Sequence, residues 1–241
     1  YSMSKKVINQ NTNYDLELMR SIELDFIFNE KPVNRLNTRS INTKEEEENK
    51  EKELNKLKIE INSIENCSLK KDSQKLIFGD GNINSLIMLI GETPGIDEEK
   101  SGSTFMGEVG ELLKKMLISI NIKKDNIYST YAVNFRPPQD RKPTSIEIKR
   151  YSIYLRKHIS IIKPKIIILM GSTAMEALTG LNNKISIERG KWKDVIIKNT
   201  SYKTIITFNP SYLLRIPENK KYSWEDLKKI KKKIQDLKLN I

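Results

Sequence analysis

The residues with the most chemical potential in this chain stand where apolar runs end: Glu92 in GETPG, Asn134 in NFRPP and Asn209 in NPSYLLR, with GSTAMEAL a fourth turn of the same kind. Leu86, Ile87, Met88, Leu89 and Ile90 read as a buried strand running straight into Gly91 and Glu92, and Gly95, Gly102 and Gly107 break the chain again before a helix near Glu111. Such turns hold a polar ligand against the backbone, with side chains at the turn free to act on it.

The four turns follow strand-like runs at residues 85–90, 127–133, 165–170 and 203–208. In an open α/β sheet the carboxyl ends of parallel strands form one edge, and ligands sit in the crevice there. The turns are therefore expected to converge on one site. Helices are expected at 108–120, 145–162, 172–178 and 224–237, alternating with the strands, which is the pattern of a mostly parallel sheet covered on both faces. KWKDVIIKNTSYKTIITF, residues 191–208, reads as two strands around an Asn-Thr-Ser turn and gives the sheet a mixed edge.

Ahead of this core, residues 14–28 have helical spacing (Leu16, Met19, Ile22, Leu24) and residues 32–43 read as a polar linker. From Lys44 a charged helix begins, with a narrow apolar stripe of Leu54, Leu57, Ile61 and Ile64; its acidic run reads as a solvated face. The expected division is an N-terminal helical and linker segment at 1–43 and one domain at 44–241.

With 241 residues, 37% of them hydrophobic, the chain supports one good-sized core. A formal charge of +12 suits a polyanionic partner, although a composition rich in Lys, Asn and Ile produces the same excess with no partner at all. The single cysteine, Cys67, allows neither an internal disulfide nor an all-cysteine metal site and fits a reducing cytoplasm. No apolar run reaches transmembrane length, and the polar opening YSMSKKVINQ lacks the apolar core of a signal peptide. Neither a Walker sequence nor a dinucleotide fingerprint is present.

GETPG, FMGEVGELL, NFRPP, the PKIIILMG strand and NPSYLLR, in that order, make residues 54–237 resemble the uracil-DNA glycosylase superfamily, most closely its iron–sulfur branch, family 4. The resemblance implies a three-layer α/β/α fold around a central, mostly parallel four-stranded sheet. It also implies that DNA, single- or double-stranded, is the partner. Glu92 and Asn209 take the catalytic positions: a carboxylate beside the deoxyribose stabilises the oxocarbenium-like state of N-glycosidic cleavage, and an amide donor polarises the departing base. Gly91, Thr93, Phe105, Tyr131 and Asn134 fall at base-binding positions, Phe105 as the stacking ring. Ser211, Leu213, Leu214 and Arg215 fall in the loop that enters the minor groove and extrudes the base. Glu98 and Glu99 match an acidic pair that fixes the loop.

The chain departs from the family pattern in three places. Asn209 replaces the histidine that opens the second motif, although Asn-Pro-Ser also resembles that motif in mismatch-specific uracil and thymine glycosylases. Tyr131 replaces the uracil-reading asparagine, and Asn134 replaces a lysine. Of the four cluster cysteines only Cys67 remains; the other positions hold Ile64, Phe135 and Tyr151, expected to pack around Cys67 in place of a cluster. No metal or other cofactor is expected. His158, the only histidine, is expected to be a packed helix residue.

The expected function is that of a monofunctional DNA glycosylase, removing uracil or a related deaminated base in base excision repair. It is expected to be a monomer in the cytoplasm, at a bacterial nucleoid, with no membrane partner. Two alternatives stay open: a DNA-binding protein of the same fold without turnover, and a glycosylase for another lesion such as hypoxanthine.

Overall fold

The computed structural model describes residues 38–241 apart from Asn66 and Gln74; the segment at 14–28 and most of the linker lie outside the described residues. Helix α1 (Thr38–Asn62) starts ahead of Lys44 because nothing in TRSINT breaks a helix, so residues 38–43 are helix and not linker. Glu45, Glu46, Glu47 and Glu48 are exposed, whereas Leu54, Leu57 and Ile61 are buried, as an acidic outer face and an apolar stripe require. A short α2 (Ser68–Asp72) follows.

The sheet has six strands: β1 (Asp80–Gly81), β2 (Ile87–Gly91), β3 (Ile127–Tyr131), β4 (Ile166–Met170), β5 (Trp192–Ile197) and β6 (Thr200–Thr207), in the order β1-β3-β2-β4-β6-β5. The four parallel strands of the motif runs form its centre, β3-β2-β4-β6. Antiparallel β5 supplies the mixed edge expected from residues 191–208, and antiparallel β1 adds a strand at the other edge, so the sheet has six strands around its four central ones. Two-residue β1 has no apolar run that could announce it. The β5–β6 hairpin turns at Lys198 and Asn199, with Ile197 paired to Thr200, and not at Asn-Thr-Ser. Its tight turn places both central residues at positive φ, 45° and 61°, a conformation that β-branched Thr200 resists more than Asn199 does.

Between the strands lie α3 (Ile96–Ser101), α4 (Gly107–Ser119), α5 (Ser145–Ile162), α6 (Ser172–Thr179), α7 (Ile185–Glu188), α8 (Pro210–Arg215) and α9 (Lys220–Asp236). Successive strand residues point to opposite faces. Met88, Ile90, Ile167, Leu169 and Ile206 therefore pack with α1, α5 and α6, whereas Ile87, Leu89, Ile166, Ile168 and Ile205 pack with α4 and α9. This is the three-layer α/β/α arrangement. β2 lies at its middle, with β3 on one side and β4 on the other, so the chain reverses its winding direction around β2. Glu92 follows this strand, at the switch point where such sheets bind ligands.

Candidate active site

The carboxyl ends of the central strands open into a cleft of about 730 Å³ lined by Glu92, Thr93, Phe105, Tyr131, Ser172 and Asn209, among others. This size suits a small ligand or one nucleotide. Glu92 is anchored on three sides. Its Oε1 accepts the Thr173 backbone N–H at 2.9 Å and the Ser172 hydroxyl at 3.2 Å, at the start of α6. Its Oε2 accepts Nδ2 of Asn209 at 3.1 Å. The first N–H groups of a helix lack partners within it, and here that of Thr173 in α6 orients Glu92. Gly171, at φ 105°, makes this approach possible: a Cβ there would stand 2.2 Å from the Glu92 carboxyl carbon.

Asn209 caps α8. Its Oδ1 accepts the Ser211 N–H at 3.1 Å, which fixes the side-chain amide so that Nδ2 faces Glu92 with one hydrogen and keeps the second for another acceptor. Pro210 at the first helical position sets the same turn. The parallel register pairs Met170 with Thr207, and the Gly171 N–H bonds the Thr207 carbonyl at 3.0 Å. Two motifs far apart in sequence thereby meet around one carboxylate.

The opposite wall is aromatic. Phe105 and Tyr131 lie with ring centroids 5.1 Å apart and planes tilted by 38°. The Tyr131 hydroxyl accepts the Phe105 N–H at 2.9 Å. Burial first, and then the nearby Glu98 charge, push this phenol above the ordinary tyrosine range, so it stays protonated. The β2–β3 register sets Gly91 beside Tyr131, and a Cβ on Gly91 would lie 2.7 Å from the Tyr131 ring and 2.9 Å from Phe105. Gly91 thus makes room for the aromatic wall. Phe105 itself holds φ 51°, a conformation costing a non-glycine residue about 1–3 kcal/mol that persists where the surroundings enforce it. Glu98 helps to do so: it caps α3 through the Gly95 N–H at 2.8 Å and reaches the Met106 N–H at 2.9 Å. Glu99 holds Ser73 and Arg136.

Thr93, Ser211, Leu214 and Arg215 line the same cleft. Asn134 and Leu213 are corrections. Asn134 is buried away from the cleft, and its Nδ2 donates to the carbonyls of Ile77 and Phe78 at 3.0 and 3.3 Å. Leu213 is 1% exposed, because the first turn of α8 directs it into the core and leaves Leu214 facing the cleft. Ser172 and Thr173 were placed by their turn but not singled out as ligands of Glu92, and Arg141, Lys142 and Tyr212 were missed as lining residues. Gly-Ser-Thr directly after a strand was the available signal for the first pair.

Around Cys67 the structure shows close packing. The thiol lies 3.3 Å from the Tyr151 hydroxyl, Phe135 meets Tyr151 edge-on at 6.3 Å, and Ile64 packs against the same cluster. One thiol, two aromatic rings and an isoleucine do not supply the thiolates that an iron–sulfur cluster requires, so these residues do not fit one. His158 is buried in α5, with Nε2 2.8 Å from the Tyr128 hydroxyl and its ring stacked on Phe78 at 4.5 Å. Burial lowers its pKa to about 3, and it lies apart from the cleft.

A parallel sheet with a carboxylate and an amide at its switch point, facing an aromatic wall, defines an α/β enzyme site for a flat polar ligand. The chain belongs to the uracil DNA glycosylase superfamily, whose sequence profile matches residues 78–231. A Type-4 uracil-DNA glycosylase of Sulfurisphaera tokodaii is 34% identical over 190 residues, 74% of this chain and 83% of the relative. One from Saccharolobus solfataricus is 31% identical over 177 residues, 71% of this chain and 82% of the relative. One from Archaeoglobus fulgidus is 35% identical over 122 residues, and that match spans 51% of this chain and 61% of the relative.

Proposed function

We propose that this chain is a monofunctional DNA glycosylase that hydrolyses the N-glycosidic bond of uracil, or of a related deaminated base, in base excision repair. Residues 44–241 form its catalytic domain. The observation that carries the reading is the Glu92–Asn209 pair, 3.1 Å apart at the switch point of the sheet. As the bond to the base lengthens, positive charge grows on the sugar and negative charge on the base. Glu92 stabilises the former and directs water to the sugar carbon. The second Nδ2 hydrogen of Asn209 stabilises the latter. Phe105 stacks on the base, while Leu214 and Arg215 at the cleft mouth unstack the strand and hold a phosphate. No lysine nucleophile enters this scheme, so the product is an intact strand with an abasic site.

DNA is the partner, and a monomer working without an iron–sulfur cluster, in the cytoplasm or at a nucleoid, fits the composition. Among the described residues no helix is long and apolar enough to cross a membrane. One observation favours a second reading, a binding protein without turnover: the Tyr131 hydroxyl is already engaged by the Phe105 N–H, so this strand end offers little to a base edge. The same experiment decides. Single- and double-stranded oligonucleotides carrying one uracil are incubated with wild type and with Glu92→Gln, then treated with alkali. Alkali-dependent cleavage by wild type alone supports the glycosylase. DNA binding without cleavage supports the second reading, unless hypoxanthine is released in the parallel reaction.

A further inference from the structure

The positive charge of this protein is not concentrated where the chemistry is. Three acidic residues (Glu92, Glu98, Asp140) and three basic ones (Arg141, Lys142, Arg215) line the catalytic cleft, so its walls are close to neutral. At the other end of the sheet, beside the amino ends of β4 and β6, lies a larger groove of about 1050 Å³. Six lysines line it, Lys56, Lys157, Lys163, Lys165, Lys198 and Lys203, against only Glu53 and Glu60. Lys157 pairs with Glu60, and Lys203 with Asp194. Among the described residues Lys56, Lys163, Lys165 and Lys198 have no acidic partner, and all four are exposed.

Two of these lysines occupy backbone positions where glycine is the ordinary choice. Lys163 is the left-handed cap of α5, at φ 56°, and Lys198 holds φ 45° in the β5–β6 turn. A side chain in this conformation is less favourable than in the right-handed one. The chain therefore carries charge at two strained positions on the same groove. Lys50 senses it: burial, and then the neighbouring Lys163 charge, hold its ammonium below the usual lysine range. The exposed Lys228 and Lys232 lie on one face of α9, and Leu237 and Leu239, just beyond that helix, line the groove.

We propose that this groove is a second DNA site, holding the phosphate backbone of a segment other than the one in the catalytic cleft. The inference rests on the chain acting on DNA, but not on its removing any base. Separation argues for a second segment: β4 alone puts about 16 Å of strand between the groove and Glu92's edge, and the groove opens at the opposite end of the sheet. Unpaired lysines on a concave surface release counterions from a phosphate backbone without reading sequence. Holding a second segment lets an enzyme pass between DNA segments without first dissociating.

The test uses two short uracil-free duplexes, one carrying a donor fluorophore and the other an acceptor, mixed with the full chain. Wild type is expected to produce energy transfer by bridging them. Lys163→Glu/Lys165→Glu/Lys198→Glu is expected to abolish it, while a single duplex is still bound at the cleft. A milder variant with Gln at the three positions, whose folding is checked by thermal melting, is expected to lower the salt slope of the second binding step by about 3. Absence of transfer with wild type overturns the proposal. So does transfer that survives in both variants, as two clefts of a dimer would produce. Loss of all duplex binding in these variants also overturns it, because the groove would then belong to the path of a single DNA. Polyglutamate binding by a wild type that cannot bridge duplexes would assign the groove to an acidic protein. Since no base release is read, failure of the glycosylase reading leaves a distinct signature.

Discussion

Oε2 of Glu92 accepts a hydrogen bond from Nδ2 of Asn209 at 3.1 Å, joining residues 117 positions apart in the chain. In the proposed scheme the pair links the group that would stabilise the sugar cation to the donor that would stabilise the leaving base. Asn209→Ala removes that donor and is expected to slow single-turnover base release by about 10²–10³. Glu92→Gln removes the charge and is expected to slow it further, with DNA affinity within about twofold for both. Single-turnover kinetics beside a binding titration check this. Unchanged rates in Asn209→Ala would remove the amide from the mechanism.

The Gly171 backbone makes a sharper prediction because the nearest neighbours of an added Cβ there are atoms of Glu92. A methyl group at this position would stand 2.2 Å from the Glu92 carboxyl carbon, on a backbone at φ 105°. Gly171→Ala is therefore expected to push the carboxylate off the start of α6 and to lower kcat by at least about tenfold, a shift of about 1.4 kcal/mol in the barrier. Near-wild-type kcat at saturating substrate would show that the Thr173 N–H does not need to hold Glu92.

Leu213 and Leu214 are adjacent but are expected to fail differently. Leu213 is fully packed, so Leu213→Ala leaves a cavity and is expected to cost about 2–5 kcal/mol of stability, read as a fall in urea midpoint. Leu214 lines the cleft mouth, so Leu214→Ala is expected to melt close to wild type. It should slow base release from duplex DNA more than from single strands, which need less unstacking. Equal slowing on both substrates would deny Leu214 a role in extrusion.

The central sheet was legible because β2 and β4 are uninterrupted apolar runs, β3 and β6 are rich in aromatic and β-branched residues, and each run is followed by Gly or Asn; the α5 boundaries follow from a Thr144–Glu147 capping box and from Pro164. β1 was not legible: two residues, Asp80 and Gly81, have no period. At the site, Glu92, Asn209 and Phe105 were found through their turns. The backbone donor from Thr173 was not, since an N–H carries no side-chain signature. Asn134 was misplaced for a related reason. One residue separates it from Ala132, and β3 ends at Tyr131, so strand alternation gives no guide to its direction. Its amide turns to the Ile77 carbonyl, a partner that sequence spacing does not reveal.

His158 gives a prediction in pH. In the folded chain its pKa is lowered to about 3 by burial, whereas in the unfolded chain it titrates near 6.5. Between these values the unfolded state binds the extra proton, so stability rises with pH across this window, is fully present above about 6.5 and is lost as pH falls toward 3. The slope reaches at most about 1.4 kcal/mol per pH unit, which amounts to about 2 kcal/mol between pH 6.5 and 5. Asp226, whose pKa burial raises against the opposing Arg189, contributes with the opposite sign. Its contribution is common to wild type and variant and cancels in the comparison. His158→Gln keeps a polar partner for the Tyr128 hydroxyl but cannot titrate. Urea unfolding at pH 7 and pH 5 is expected to show wild type losing about 2 kcal/mol more than the variant over that interval. Parallel losses would mean that His158 is protonated at pH 5 inside the fold, and that its contact with Tyr128 does not require the neutral ring.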